Sequence, residues 1–313
     1  MKLIVQIPCL NEEASLPKTL DDLPKQIHGI DRIEVLIVDD GSTDRTSEVA
    51  RRNGVQHIVR FTKRKGLARA FYAGLDASLK AGADIIVNTD ADGQYKGEDI
   101  PRLVQPILEG KADIVIGNRD IENVQQFSWI KKRLQRLGSW VVRQLTGSTI
   151  SDATTGFRAY NSEAALKLNI ISDYTYTLES IIQAEHKGLA IHNIMISTND
   201  VRRQSRLFRS IPEYLKRSMI TIIRVYAMFN PFQIFMRAGA IILFLGLLVG
   251  CRFLFYYFLT GGTGKIQSLI LTAVLILIGF QVMIVGLVSD LISANRRLLE
   301  DALYRTKKME LKK

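Results

Sequence analysis

Along the first 120 residues, apolar and mixed segments take turns. β-Branched apolar runs at Leu3–Pro8, Ile33–Asp39, His57–Phe61, Asp84–Thr89 and Asp113–Gly117 read as strands. Helical patterns at Glu12–Gln26, Thr43–Asn53, Leu67–Ala81 and Glu98–Glu109 fill the intervals. Near-continuous apolar strands separated by helices predict an α/β unit whose mostly parallel sheet carries helices on both faces. Such sheets bind ligands at the carboxyl ends of their strands, near a switch in strand order.

After residue 120 the alternation breaks down. Ser128–Leu145 sets Trp129, Leu134, Leu137 and Trp140 among five basic residues, as an amphipathic helix on a membrane or over a core stripe. Thr177–Lys187 predicts a helix and Ala190–Ser197 a strand. Residues 211–230 form a second amphipathic segment, read as an interfacial helix that Pro231 ends. Two spans follow. Ala238–Leu259 is apolar apart from Arg252, and Ile266–Ser289 has no charge in 24 residues. Each exceeds the roughly 20 apolar residues that a bilayer crossing needs. The short connection predicts an antiparallel hairpin. The expected divisions are a catalytic domain over 1–200, a basic juxtamembrane segment over 201–234, two transmembrane helices over 235–292 and a basic tail over 293–313.

Charge changes this picture in one respect. The net charge is +11, yet residues 1–199 hold 25 Lys/Arg and 25 Asp/Glu. All of the excess belongs to the membrane portion, which argues for anionic headgroups and against nucleic acid. The basic residues flanking the spans put both hairpin ends in the cytoplasm by the positive-inside rule. The N-terminus lacks a signal-peptide pattern, so the catalytic domain and both termini are expected on the cytoplasmic side of the inner or plasma membrane. Cys9 and Cys251 read as apolar fillers.

Three strand ends carry candidate chemistry. Asp90-Ala91-Asp92-Gly93-Gln94 places two carboxylates, and an amide oxygen on Gln94, where one hard cation, Mg²⁺ or Mn²⁺, can meet them. Val38-Asp39-Asp40-Gly41-Ser42-Thr43-Asp44 opens a helix that Ser42 or Thr43 can cap, with Gly41 allowing close approach to a ligand. Pro8-Cys9-Leu10-Asn11-Glu12-Glu13 stands where a dinucleotide fold would have its glycine fingerprint. That fingerprint and a P-loop are both absent, so side chains must hold any nucleotide.

These motifs, with Lys65-Gly66-Leu67-Ala68-Arg69, Gly117-Asn118-Arg119 and Asp152-Ala153-Thr154-Thr155-Gly156-Phe157-Arg158, resemble glycosyltransferase family 2 and its GT-A fold, which is Rossmann-like. Within it, the D-A-D-x-Q form resembles the dolichol-phosphate mannose synthase group and its bacterial polyprenyl-phosphate relatives. The Q-x-x-R-W pattern of processive synthases is absent. The resemblance implies inverting, metal-dependent transfer of one sugar from a nucleotide sugar to a polyprenyl phosphate. It implies chemistry at Asp92, Arg119, Asp152 and Glu179, and a nucleotide site made of Pro8, Asn11, Glu12, Asp39, Asp40, Gly41, Ser42, Gly66, Arg69, Asp90, Ala91 and Asp92. The ion would rest on Asp90, Asp92 and Gln94. Acceptor phosphate would meet Arg119, Arg158 and the run Arg202, Arg203, Ser205 and Arg206. The family's glycine before that serine is missing, which leaves open which arginine binds. UDP-glucose or UDP-N-acetylglucosamine is expected over GDP-mannose. A homo-oligomer, a different lipid or lipid-linked saccharide as acceptor, and a non-catalytic binding scaffold stay open. Intact Asp40, Asp90, Asp92 and Arg119 argue against the scaffold.

Overall fold

The computed structural model describes residues 1–119, 152–171, 176–199, 220, 231–260 and 266–311. The amphipathic segments expected at 128–145 and 211–230, and Arg202, Arg203, Ser205 and Arg206, lie outside them, Ile220 apart.

The described chain divides into two units, Met1–Ile223 with Leu303–Lys313, and Arg224–Ala302. The first is built on a seven-stranded sheet. Its strands are β1 (Lys2–Cys9), β2 (Arg32–Asp39), β3 (His57–Arg60), β4 (Ile85–Asn88), β5 (Ile114–Arg119), β6 (Arg158–Asn161) and β7 (Ile191–Ile196), in the order β3-β2-β1-β4-β6-β5-β7. All neighbours run parallel except β6, which is antiparallel to both β4 and β5. The order reverses about β1, between β2 and β4. Cys9 is in register with Asp39 and Gln6 with Asn88, so the turns after β1, β2 and β4 emerge at one edge. This is where a doubly covered sheet binds ligands.

Side chains leave each strand alternately. Ile4, Leu36, Val38 and Ile86 face α3 (Leu67–Lys80), α5 (Ser162–Lys167) and α6 (Thr177–His186). Leu3, Val5, Ile37, Ile85 and Val87 face the other core, with α1 (Leu16–Asp21), α2 (Thr46–Arg52) and α4 (Ile100–Leu108). Burial on both faces is why these strands read as unbroken apolar runs. Gly74 lets α3 lie close to the sheet: a Cβ there would sit 2.5 Å from Gln6 Oε1.

The elements differ from expectation in three places. α1 is six residues long, because the preceding turn is tied to the Asp44 loop and Pro24 blocks continuation. β6 was not expected; four residues reading Arg-Ala-Tyr-Asn show no strand pattern. α5 was also not expected, although Asn161 caps it by accepting the Ala164 N–H at 2.7 Å.

In the second unit, α7 (Pro231–Thr260) and α8 (Ile266–Glu310) are each long and apolar enough to cross a membrane. They pack through glycines. A Cβ on Gly239 would meet Met283 Cγ at 2.5 Å, and one on Gly279 would meet Leu243 N at 2.8 Å. Small residues allow this backbone approach where no hydrophobic drive exists between helices in lipid. Phe244, Phe255, Phe258, Leu277 and Phe280 are exposed on these two helices. α8 has no Gly or Pro after Gly286 and continues unbroken to Glu310.

From Leu303 onward, α8 belongs to the sheet unit. Tyr304 donates its hydroxyl to Glu163 on α5 at 2.6 Å. Lys308 reaches the other oxygen of Glu163 at 3.3 Å. Lys307 donates to the Tyr72 hydroxyl at 2.7 Å and to Asn169 Oδ1 at 3.3 Å.

Candidate active site

The turn after β2 is held by its own aspartates. Asp39 is fully buried. Its Oδ1 accepts the Ser42 N–H at 2.7 Å, and its Oδ2 accepts the Ser47 hydroxyl and lies 3.4 Å from Arg60 Nε. Asp40 accepts the Lys65 N–H at 2.6 Å and the Gly66 N–H at 2.9 Å, fixing the start of α3. Ser42 Oγ accepts the Asn11 N–H at 3.0 Å, and Asn11 Oδ1 accepts the Thr43 N–H at 2.8 Å. The turns after β1 and β2 are thus laced together. Neither Ser42 nor Thr43 caps α2; Asp44 Oδ1 accepts the Thr46 N–H at 3.0 Å instead. Pro8 lies buried in β1 opposite Val38, Glu12 donates its N–H to Thr46 at 2.8 Å, and Arg69 is exposed on α3.

Gly41 lies close against the protein's own backbone. Its φ is +75°, and an added Cβ would lie 2.6 Å from Arg64 N and from Lys63 C. Gly41→Ala is expected to cost about 1–3 kcal/mol from the backbone conformation alone. At about 2–4 °C per kcal/mol, a thermal melt should show a loss of several degrees. An unchanged melt would mean that Gly41 does not hold this left-handed conformation against the 63–66 loop.

The turn after β4 carries Asp90 and Asp92. Asp92 is exposed, and its Oδ1 accepts the Gln94 N–H at 3.0 Å. Asp90 is largely enclosed. A Cβ on Gly156 would meet its two carboxylate oxygens at 3.3 and 3.4 Å. Burial first, then the charge of Asp92, pushes the Asp90 carboxyl up to about 7, against the opposing pull of Arg119. Two such carboxylates suit a divalent cation, whose charge relieves their repulsion. Among the described residues no three His, Cys, Asp or Glu side chains form a metal cluster, so an ion here would need further oxygens from its ligand. Ala91 is buried, and its carbonyl accepts the Thr19 hydroxyl at 3.0 Å. Cys9 is a buried thiol whose pKa is raised by burial, consistent with a filler.

Arg119, at the end of β5, forms a two-pronged pair with Asp152: Nε to Oδ2 at 2.7 Å and Nη2 to Oδ1 at 3.2 Å. Nη2 also donates to Thr154 Oγ1 at 2.9 Å. Both partners are buried, with side-chain exposures of 8% and 1%. Burial opposes the charge on Asp152, yet the Arg119 guanidinium overrides it and holds the carboxyl below the usual range.

Arg158 does not match its expected role. Arg158 is 0% exposed, and its guanidinium donates to the carbonyls of Ala153, Thr155 and Thr177 and to Ser180 Oγ at 2.8–3.0 Å. It braces the Asp152–Phe157 loop against α6 and does not face an acceptor phosphate. β6 is a central strand, and its first residue points into the core. Glu179 is 2% exposed, with Oε1 accepting the Ile171 N–H at 3.0 Å and Gln183 Nε2 at 3.1 Å. It anchors the chain at 171.

The family model described as Glycosyl transferase family 2 matches residues 4–168, more than half of the chain. The chain belongs to this family. It is 34% identical over 207 residues to an undecaprenyl-phosphate mannosyltransferase of Micrococcus luteus, covering 63% of this chain and 83% of the relative. It is 29% identical over 207 residues to a polyprenol monophosphomannose synthase of Mycolicibacterium smegmatis, covering 63% and 77%. It is 30% identical over 217 residues to a UDP-N-acetylglucosamine–dolichyl-phosphate N-acetylglucosaminyltransferase of Methanococcus voltae, covering 61% and 83%. Glucosyl-3-phosphoglycerate synthase of Mycobacterium tuberculosis, solved with Mn²⁺, UDP-glucose and phosphoglyceric acid, superposes with a TM-score of 0.58 at 21% identity, covering 72% and 80%. That likeness fixes the fold as GT-A.

The glycosyltransferase also uses residues that no motif announced. Tyr95 stacks on Phe157 with centroids 5.0 Å apart, and its oxygen accepts the Gly156 N–H at 3.2 Å. Burial pushes this phenol up to about 12, so it stays a neutral partner at physiological pH. Asn199, just beyond β7, grips the metal-motif turn. Its N–H donates to the Gln94 carbonyl at 2.9 Å and its amide to the Gly93 carbonyl at 3.0 Å. The only sequence signal for this contact was its place three residues before the arginine run.

Proposed function

We propose that this glycosyltransferase moves a single sugar from a nucleotide sugar to a polyprenyl phosphate, with inversion, at the cytoplasmic face of the membrane. The observation that carries the reading is the agreement among the relatives. The three described above are named for two different sugars, mannose and N-acetylglucosamine, but all for a polyprenol-type lipid joined through phosphate. Two apolar helices long enough to span a bilayer support the same acceptor. The flanking basic residues favour the orientation in which both hairpin ends lie on the catalytic side.

The nucleotide would lie over the laced turns after β1 and β2, beside Asp40 and Gly66. Asp90 and Asp92, with the Gln94 amide beside them, would hold Mg²⁺ or Mn²⁺, which would offset the charge gathering on the departing diphosphate. A phosphate acceptor is already anionic at neutral pH and needs placement more than deprotonation. Arg119 is paired with Asp152 and, with the run Arg202, Arg203 and Arg206, would meet the acceptor phosphate. That run follows Asn199, which is tied to the metal-motif turn.

The relatives' names do not resolve the expected preference for UDP-glucose or UDP-N-acetylglucosamine over GDP-mannose, and mannose is the sugar named more often. Two name mannose and one N-acetylglucosamine. The purified protein, Mg²⁺ and polyprenyl phosphate should be incubated with GDP-mannose, UDP-N-acetylglucosamine and UDP-glucose in turn. One donor should give labelled lipid, and the alcohol lacking phosphate should give none. Folded protein that labels no lipid with any donor would overturn the reading.

A further inference from the structure

The last residue of β4 is a buried amide in a strand whose other three residues are aliphatic. Asn88 is 0% exposed. An unsatisfied amide there would cost about 1–3 kcal/mol, so its bonds must be made inside the protein. Its Oδ1 accepts Gln6 Nε2 at 2.9 Å. Its Nδ2 donates to the Gly156 carbonyl at 2.7 Å and to the Tyr176 hydroxyl at 2.9 Å. Tyr176 in turn stacks on Phe71 with centroids 3.8 Å apart and planes 7° from parallel.

The network converges on one glycine. The Gly156 N–H is held by Tyr95 and its carbonyl by Asn88. Between those two bonds lies its α-carbon, packed so tightly that an added Cβ would meet Tyr176 Oη at 2.8 Å and the Asp90 oxygens at 3.3 and 3.4 Å. Asn88 also precedes Asp90 by two residues, at the end of the strand that leads into its turn. It therefore fixes the Asp90 carboxylate from two directions, through the chain and through the floor on which that carboxylate rests.

We infer that Asn88 is a positioning residue for the metal–diphosphate site, acting through the Gly156 peptide and Tyr176 to hold Asp90 where a divalent cation meets it. The inference rests on the assignment of an ion to Asp90 and Asp92. Its specific consequence is that losing the Asn88 donors weakens ion-dependent nucleotide binding while leaving ion-independent nucleotide binding alone. The base and ribose turns after β1 and β2 make no contact with this amide among the bonds described.

The test is calorimetric titration of the nucleoside diphosphate product into full-length protein, with Mg²⁺ varied from none to saturating. Variants are Asn88→Ala, Asn88→Asp and the milder Tyr176→Phe, each screened by thermal melting. Wild type should bind more tightly as Mg²⁺ rises. Asn88→Asp and Asn88→Ala should shift the half-saturating Mg²⁺ upward roughly 5- to 30-fold, as expected for loss of a buried hydrogen-bonding partner. Their affinity without the ion should stay within twofold of wild type. Tyr176→Phe should fold and shift it by a smaller factor in the same direction. Wild-type binding that ignores Mg²⁺ would overturn the ion assignment and this inference with it. Ion-dependent wild type with folded Asn88→Asp and Tyr176→Phe variants that both match it would overturn the inference alone. An equal loss with and without the ion would make Asn88 a merely structural residue.

Discussion

Asp92→Asn is expected to reduce sugar transfer about 10²- to 10³-fold while leaving the fold intact. Asp92 is exposed, and its one described bond, from the Gln94 N–H, can be accepted equally well by an asparagine oxygen. Only the charge is lost. Stabilisation of a departing diphosphate by a bound cation is worth several kcal/mol, and about 3–4 kcal/mol corresponds to that rate loss. The measurement is steady-state transfer to polyprenyl phosphate at saturating donor, beside a thermal melt. A variant with a wild-type melt and more than a tenth of wild-type turnover would remove the ion from Asp92.

The largest stability effect should come from Asp152→Ala. This change strands the Arg119 guanidinium in a site where its side chain is 8% exposed. Breaking a buried pair from one side costs about 3–5 kcal/mol. The melt should fall by roughly 6–20 °C at about 2–4 °C per kcal/mol. pH supplies the control. The Asp152 carboxyl is held below its ordinary value, so its contribution is fully present above the unfolded pKa of about 4. It is lost as pH falls through the depressed folded value. The gap between wild type and Asp152→Ala should therefore be constant from pH 7 to 5 and shrink below about pH 4. A gap that persists undiminished into strong acid would mean that packing, and not the ion pair, is what the mutation removes.

The half of the sheet that forms the site was legible because its chemistry and its periodicity agree. β1, β2 and β4 are buried on both faces and read as apolar runs, and the polar motifs begin where those runs stop. What escaped was whatever depended on direction. β6 enters between β4 and β5 as four residues, and no local pattern shows that it runs backwards. Arg158 was read as a phosphate ligand because it closes a recognisable motif; only a strand at the sheet's centre turns that arginine inward. At Gly41 the sequence shows only that a close approach is possible; the neighbouring Lys63–Arg64 backbone, brought there from the 63–66 loop, becomes visible only in the fold. Asn88 and Gln6 were passed over because single polar residues inside apolar runs carry no signal until the network joining them is seen.

The contacts of Tyr304, Lys307 and Lys308 with Glu163, Tyr72 and Asn169 impose an order on biosynthesis. Glu163 and Tyr304 are 141 positions apart. At about 5–20 residues per second, the α3–α5 face waits roughly 7–28 s after Glu163 is made before the segment that covers it exists. During that interval the hydrophobic hairpin is itself being synthesised. The sheet unit thus leaves the ribosome with one face unfinished, and Tyr304, Lys307 and Lys308 arrive only after the apolar stretches of α7 and α8. A tag or truncation at the C-terminus, far in sequence from every motif, would bear directly on the maturation of the enzyme's soluble half.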